Sequence, residues 1–106
     1  MRYYADQALG LLETVGMVPA LEACDKMLKA ADVELISYEN VGSTLVTIMI
    51  KGDVGACKTA VAAGVKAVQE MGEDVYSSVV IARPHEDLQK ITALYTLDKL
   101  LPYGEE

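Results

Sequence analysis

The hydrophobic positions of the chain follow two periods, one of about two residues and one of three to four residues. Segments 8–15, 33–39, 44–51 and 75–82 are rich in apolar and β-branched residues, and they predict four strands. Residues 40–43 are too few for anything but a turn or a short loop. We therefore expect the second and third strands to pair as a hairpin.

Two amphipathic helices are predicted between the strands. Pro19 suits the first turn of the first helix, where a missing N–H is not needed, while Asp53 and Gly72 suit the start and end of the second. Gly64 costs about 1 kcal/mol relative to alanine in mid-helix, so we expect it to let a neighbouring backbone approach closely. The positions expected to face the core are Met17, Leu21, Cys24, Leu28 and Ala31 in the first helix, and Val54, Cys57, Val61, Gly64, Val68 and Met71 in the second.

These elements run in the order β-α-β-β-α-β, and an amphipathic pattern starting at Pro84 predicts an additional C-terminal helix. The order predicts an α/β fold of the α+β sandwich type, with two helices on one face of a four-stranded antiparallel sheet. The third strand is apolar on both sides, with Ile48 on one and Met49 on the other. We therefore expect its second face to be covered by another subunit or by the C-terminal segment.

The composition limits the classes of function. A length of 106 residues with 52% hydrophobic residues suits one domain with one core. A formal net charge of −7 has the wrong sign for binding nucleic acid or an anionic membrane surface. Apolar runs fall short of the roughly 20 residues that cross a bilayer, and residues 1–7 lack the features of a secretory signal. The cytoplasm is the expected location.

The residue types needed for catalysis or metal binding are not brought together by this sequence. His85 is the single histidine, and Cys24 and Cys57 lie far from it and from each other. We predict no catalytic, cofactor-binding or metal site. Both cysteines are interpreted as unpaired core residues, and His85 as a polar residue that satisfies backbone groups at the start of a helix.

Five short segments are ordinary when taken alone but specific in their order and spacing. They are ALGLLET at 8–14, EACDKMLKAADVEL at 22–35, YENVGS at 38–43, KGDVGA at 51–56 and ARPH at 82–85. With these segments the chain closely resembles the single-domain shell proteins of bacterial microcompartments, known from carboxysomes and from propanediol, ethanolamine and glycyl-radical-enzyme organelles. The resemblance implies a single BMC shell domain over 1–106, with a family-like core at 8–91 and a C-terminal helical extension at 92–106.

This resemblance implies a BMC/ferredoxin-like fold and a non-catalytic role in cyclic homohexamers, which tile into a shell facet with a central pore. Gly42 and Ser43 fall on the positions that line the narrowest part of that pore, flanked by Asn40 and Val41. Thr44 stands where the family often has a glycine. The residues alone favour a hairpin turn here, with Gly42 supplying a positive φ. A turn and a pore are compatible, because a rotational axis converts one turn into a ring.

A second set of residues matches the edge at which hexamers of this family meet. Lys29 falls on an edge lysine and Arg83 on an arginine that reaches across to the neighbouring hexamer, with Pro84 and His85 shaping the loop. Judged without the resemblance, Lys29 is an ordinary surface residue paired with Asp25 four positions earlier.

The partners implied are further copies of the chain, other shell proteins, encapsulated enzymes, and small polar metabolites that cross the pore. Neither nucleic acid nor a membrane is expected as a partner. The alternative is a small α+β regulatory sensor that binds a ligand between subunits, since chains with this element order often do so. Such a sensor is expected to form a small closed oligomer, whereas a shell protein forms hexamers and sheets without ligand.

Overall fold

The computed structural model describes residues 7–41, 44–88 and 90. Its elements are β1 (Ala8–Val15), α1 (Met17–Ala30), β2 (Glu34–Val41), β3 (Leu45–Gly52), α2 (Val54–Glu70) and β4 (Val75–Ile81), followed by a 3-10 turn at Glu86–Leu88. The predicted α+β class and order of elements are confirmed, with boundaries shifted by one or two residues. The predicted C-terminal helix lies almost wholly outside the described residues.

The four strands form one antiparallel sheet in the order β2-β3-β1-β4. Val41 pairs with Leu45, which confirms the predicted hairpin, and Leu45 also pairs with Val15 of β1. We call this the hairpin end of the sheet. At the opposite end, the far end, Ala8 of β1 pairs with Gly52 and the neighbouring Leu9 with Ile81 of β4.

The main core lies between one face of the sheet and the two helices. α1 packs against α2, β1 and β3, while α2 packs against β1, β4 and β3. A β-carbon on Gly64 would lie 2.8 Å from Cγ and Sδ of Met27. The predicted approach to a neighbouring backbone is wrong, because the close neighbour of Gly64 is a buried side chain of α1. The fully enclosed apolar residues of this core include Leu12, Ala20, Ala23, Met27, Val46, Ile50, Cys57, Ala60 and Val68.

The predicted core face of α1 is confirmed only for Cys24 and Ala31, which pack against the core, and is wrong for Met17, Leu21 and Leu28. Leu21 is 60% exposed and Leu28 is 40% exposed, whereas Ala20, Ala23 and Met27 on the adjacent face are fully buried. The physical reason is size, since alanines let the helix backbone approach the sheet and α2 more closely than leucines would. In α2 the predicted middle positions are buried, but the two ends of the stripe, Val54 and Met71, are about 40% exposed. Gly72 ends α2 as predicted, with a φ of 81°.

The second face of the sheet is apolar near the far end and polar near the hairpin end. Leu9 and Ile36 are buried there, and Leu11, Met49 and Ile81 pack against them. Closer to the hairpin end, the two carboxylate oxygens of Glu13 accept hydrogen bonds from Thr47 Oγ1 at 2.8 Å and Ser77 Oγ at 2.6 Å. These bonds tie β3, β1 and β4 together across the face.

Candidate functional site

The candidate pore residues surround the connection between β2 and β3. Asn40 and Val41 are the last two residues of β2, paired with Val46 and Leu45, and Thr44 is exposed just before β3. The structure therefore brings these three together at the hairpin end. Gly42 and Ser43 lie outside the described residues.

The loop is fastened to the start of α1 by one backbone hydrogen bond. The N–H of Gly16 donates to the carbonyl oxygen of Thr44 at 2.6 Å. Gly16 has a φ of 93°, a conformation that disfavours any residue with a side chain, and the buried Thr14 hydroxyl donates to its carbonyl at 2.9 Å. The sequence predicts a strand over 8–15 that ends just before Gly16. A glycine between a predicted strand and a predicted helix indicates a tight turn. It does not indicate the hydrogen bond to Thr44.

Lys29, the first candidate edge residue, lies in the last turn of α1 with its side chain 71% exposed. Its ammonium nitrogen is 3.0 Å from Oδ2 of Asp25, so the ion pair predicted from their spacing is present. A cation in the last helical turn also interacts favourably with the helix dipole. Because an ammonium group has three donors, Lys29 retains capacity for contacts beyond this ion pair.

The other candidate edge residues follow β4. Arg83 and His85 are exposed, whereas Pro84 between them is buried. Nδ1 of His85 accepts a hydrogen bond from the Asp87 backbone N–H at 3.0 Å, directly before the 3-10 turn. This contact confirms the predicted role of His85 in satisfying a backbone group at a helix start. Pro84 and the His85 contact hold the loop close to the end of β4 and leave Arg83 directed to solvent.

The described pore candidates and the Arg83 loop lie at opposite ends of the sheet. β1 leads to the hairpin end and α1 returns towards the far end, where the chain enters β2 at Glu34 opposite Lys51. β4 also runs to the far end, because Ile81 pairs with Leu9, so Arg83 lies there as well. Eight strand residues at about 3.3 Å each separate the two ends by roughly 25 Å. β4 thus places the Arg83 loop at the far end, and α1 carries Lys29 towards the same end, away from Thr44.

The two cysteines are free thiols, as predicted. Cys57 is buried and its Sγ lies 3.6 Å from the carbonyl oxygen of Ala8, while Cys24 is only half-buried. Burial, and to a smaller extent the charge of Asp25, raises the pKa of Cys24; burial and then Asp53 raise the pKa of Cys57. Both thiols are therefore poor nucleophiles near neutral pH.

Two further kinds of site were sought in the described part of the chain. Within residues 7–41, 44–88 and 90, His, Cys, Asp and Glu side chains do not gather in threes that would hold a metal ion. Over the same residues neither helix combines the length and apolarity needed to cross a membrane.

Comparisons with known proteins place this fold in a family. The family model described as BMC domain matches residues 8–84. The carboxysome shell protein CsoS1C of Hydrogenovibrio crunogenus is 46% identical over 87 residues, which are 82% of this chain and 85% of that protein. The bacterial microcompartment shell protein PduA of Salmonella typhimurium is 51% identical over 85 residues, 80% of this chain and 89% of PduA.

A solved structure gives the same result at the level of the fold. A microcompartment protein from Desulfitobacterium hafniense superposes with a TM-score of 0.75 at 29% identity, over 85% of this chain. The match takes in 49% of that protein, so the chain spans about half its length. Because the family model covers most of the chain and the two shell proteins align over most of their own lengths, the chain belongs to the BMC-domain family.

Proposed function

We propose that the protein is a non-catalytic structural subunit of a bacterial microcompartment shell, which forms cyclic homohexamers that tile into a facet. Two relatives at 46% and 51% identity are named as shell proteins, which supports the shell role. The observation that supports the hexamer and the pore is that the β2–β3 hairpin, with Asn40, Val41 and Thr44, lies at one end of the sheet and the Arg83 loop at the other. The single shell domain then spans 1–106, with a family-like core at 8–91 and 92–106 as a C-terminal extension, in the cytoplasm.

A subunit that both lines a pore and meets a neighbouring hexamer needs its pore residues well separated from its edge residues. Six copies arranged with their hairpin ends inward bring six loops at 42–44 around one axis. The same arrangement puts the Arg83 loop outermost and directs the end of α1, which carries Lys29, outward. A subunit with both sets at one end would be unable to line a pore and meet a neighbouring hexamer at once.

The loop gives the pore a polar lining. Six Ser43 hydroxyls and nearby backbone N–H groups offer hydrogen bonds that replace those of water around a small polar metabolite. An apolar molecule removes water from these groups without replacing it, at a cost of about 1–3 kcal/mol for each unsatisfied group. Passage is therefore passive and graded by polarity and size.

The far end provides the contact between hexamers. Lys29 donates to acceptors of the neighbour with the hydrogens that Asp25 does not use. The planar guanidinium of Arg83 bonds carbonyl oxygens across the same contact, and the buried Pro84 holds its loop in place. Other shell proteins with a matching edge fit the same facet, and the enclosed enzymes lie behind it.

Size-exclusion chromatography with light scattering and negative-stain microscopy test the proposal. We expect a particle of six 11.4 kDa chains, together with flat sheets or tubes, in the absence of any ligand. A small closed oligomer that forms no sheets and changes state only with an added effector would favour the regulatory sensor and contradict the shell role.

A further inference from the structure

His85 holds the loop after β4 through two hydrogen bonds of different kinds. Its backbone carbonyl oxygen accepts from the Leu88 N–H at 2.9 Å, which closes the 3-10 turn at Glu86–Leu88. Its side-chain Nδ1 accepts from the Asp87 N–H at 3.0 Å. The first bond does not depend on pH, because a backbone carbonyl does not titrate. The second exists only while Nδ1 carries no proton, since a protonated ring nitrogen is a donor.

The protonated imidazole has a different partner within reach. Oδ2 of Asp87 lies 3.8 Å from Nδ1 of His85, and a protonated Nδ1 would turn from the Asp87 N–H to this carboxylate. Lys90 holds the other oxygen of the same carboxylate, with its Nζ 3.6 Å from Oδ1. Because one nitrogen cannot accept from the backbone and donate to the carboxylate at once, the two protonation states of His85 require two arrangements of the turn.

The surroundings of His85 leave it open to protons from the solvent. Its side chain is 74% exposed, and of the charged groups that the structure describes, Asp87 is the one in contact with the imidazole. The other charged groups at this end of the sheet or directed towards it are Arg83 and Glu86 of the same loop, Lys51 of β3, Asp53 and Lys58 at the start of α2, and Lys29 of α1. Histidine is the side chain that ordinarily changes charge between about pH 5 and 8.

We infer that the hydrogen bond from the Asp87 N–H to His85 is a pH-sensitive latch, which holds the Arg83 loop in the position that assembly requires. This rests on the proposed function, in which Arg83 meets the neighbouring hexamer. The buried Pro84 and the latch fix the chain directly after Arg83. Since the accepting state is the neutral imidazole, the latch is closed above the titration range of His85 and open below it. Sheets are therefore expected to separate into folded hexamers as the pH falls.

Two variants separate the latch from the general effect of pH. His85→Asn places an uncharged oxygen on Cγ, where histidine has Nδ1, so it accepts from the Asp87 N–H at any pH, whereas His85→Ala accepts at none. By negative-stain microscopy, we expect the parent to form sheets at about pH 8 and free hexamers at about pH 5.5. His85→Asn is expected to form sheets at both values, and His85→Ala to have lost them at both.

The comparison of the three proteins decides between the latch and other effects of acid. Both pH values lie above the pI of about 4.6, so the three chains undergo the same loss of background negative charge. Loss of sheets at about pH 5.5 in His85→Asn as well as in the parent would overturn the inference. Sheets of His85→Ala that equal those of His85→Asn would overturn it too, because charge and not the hydrogen bond would then control the edge.

NMR spectroscopy tests the latch without relying on assembly. The Asp87 amide proton is expected to shift upfield as His85 Nδ1 becomes protonated, with one shared midpoint, because it loses its acceptor. In His85→Asn the same amide is expected to keep its shift over that range. An Asp87 amide that does not respond to the imidazole would overturn the inference. A parent protein that forms neither hexamers nor sheets at any pH would instead overturn the proposed function, and the Asp87 amide would still decide whether the latch exists.

Discussion

Gly64→Ala sets helix propensity against packing at one buried position. Alanine in the middle of α2 gains about 1 kcal/mol over glycine, because glycine loses more backbone freedom on folding. The added methyl group, however, would lie 2.8 Å from Cγ and Sδ of Met27 and 3.0 Å from Cδ1 of Leu12. Both neighbours are completely buried, so neither moves without displacing others.

The packing cost is expected to exceed the propensity gain. Forcing one extra methyl group into a filled core costs about 1–3 kcal/mol, which leaves a net destabilisation of about 1 kcal/mol. For a domain of this size that loss lowers Tm by about 4–8 °C. The expected sign is therefore opposite to the one that helix propensity predicts.

Gly55→Ala is the control, because it lies in the same helix and its new methyl group meets nothing within 4 Å. Thermal and urea unfolding at one fixed protein concentration compare the two variants with the parent, since association would stabilise all three by mass action. Gly55→Ala is expected to be neutral or more stable. If Gly64→Ala is stabilised by as much as Gly55→Ala, Met27 gives way freely, and the close packing of the two helices is not what requires glycine there.

Four further outcomes are expected. Lys29→Ala keeps the hexamer and loses sheets by microscopy, while the control Lys26→Ala on the same helix keeps both; equal sheets from both variants would contradict the edge role of Lys29. Arg83→Ala likewise yields free hexamers with unchanged Tm, and a loss of folding would instead make Arg83 a structural residue. Ser43→Leu retains hexamers but lowers the flux of small polar solutes into reconstituted shells more than that of apolar solutes, so equal flux would show that metabolites cross elsewhere. Glu13→Ala removes two hydrogen bonds to a carboxylate and lowers the unfolding free energy by about 1–3 kcal/mol, with a smaller loss in Glu13→Gln, and an unchanged urea midpoint would show that these bonds contribute nothing.

Strand positions and the hairpin were predictable because their apolar runs and turn residues are local signals. The buried face of α1 was not. Both the leucine row and the alanine row are apolar at helical spacing, and ranking by hydrophobicity selects the larger residues. Which row faces the core depends on how closely the helix approaches α2 and the sheet, which is a property of the packed structure.

The candidate site was predictable in its residues but not in its geometry. By spacing alone, Lys29 forms a surface ion pair with Asp25, and the structure contains that pair. Only the resemblance to shell proteins assigns it an edge role. That Lys29 and Arg83 come to the same end of the sheet depends on β4 pairing with β1, a contact between residues about 70 positions apart. The hydrogen bond between Gly16 and Thr44 has the same non-local origin.

The hydrogen bond from the Gly16 N–H holds the chain at a backbone atom, the carbonyl oxygen of Thr44. Because the acceptor is a backbone atom, the bond does not depend on which side chain stands at position 44. Residues at the far end do not take part in this anchor. In the facet proposed above, subunits that differ at position 44 would therefore share the same edge residues, and one facet would be able to combine several of them as a mosaic.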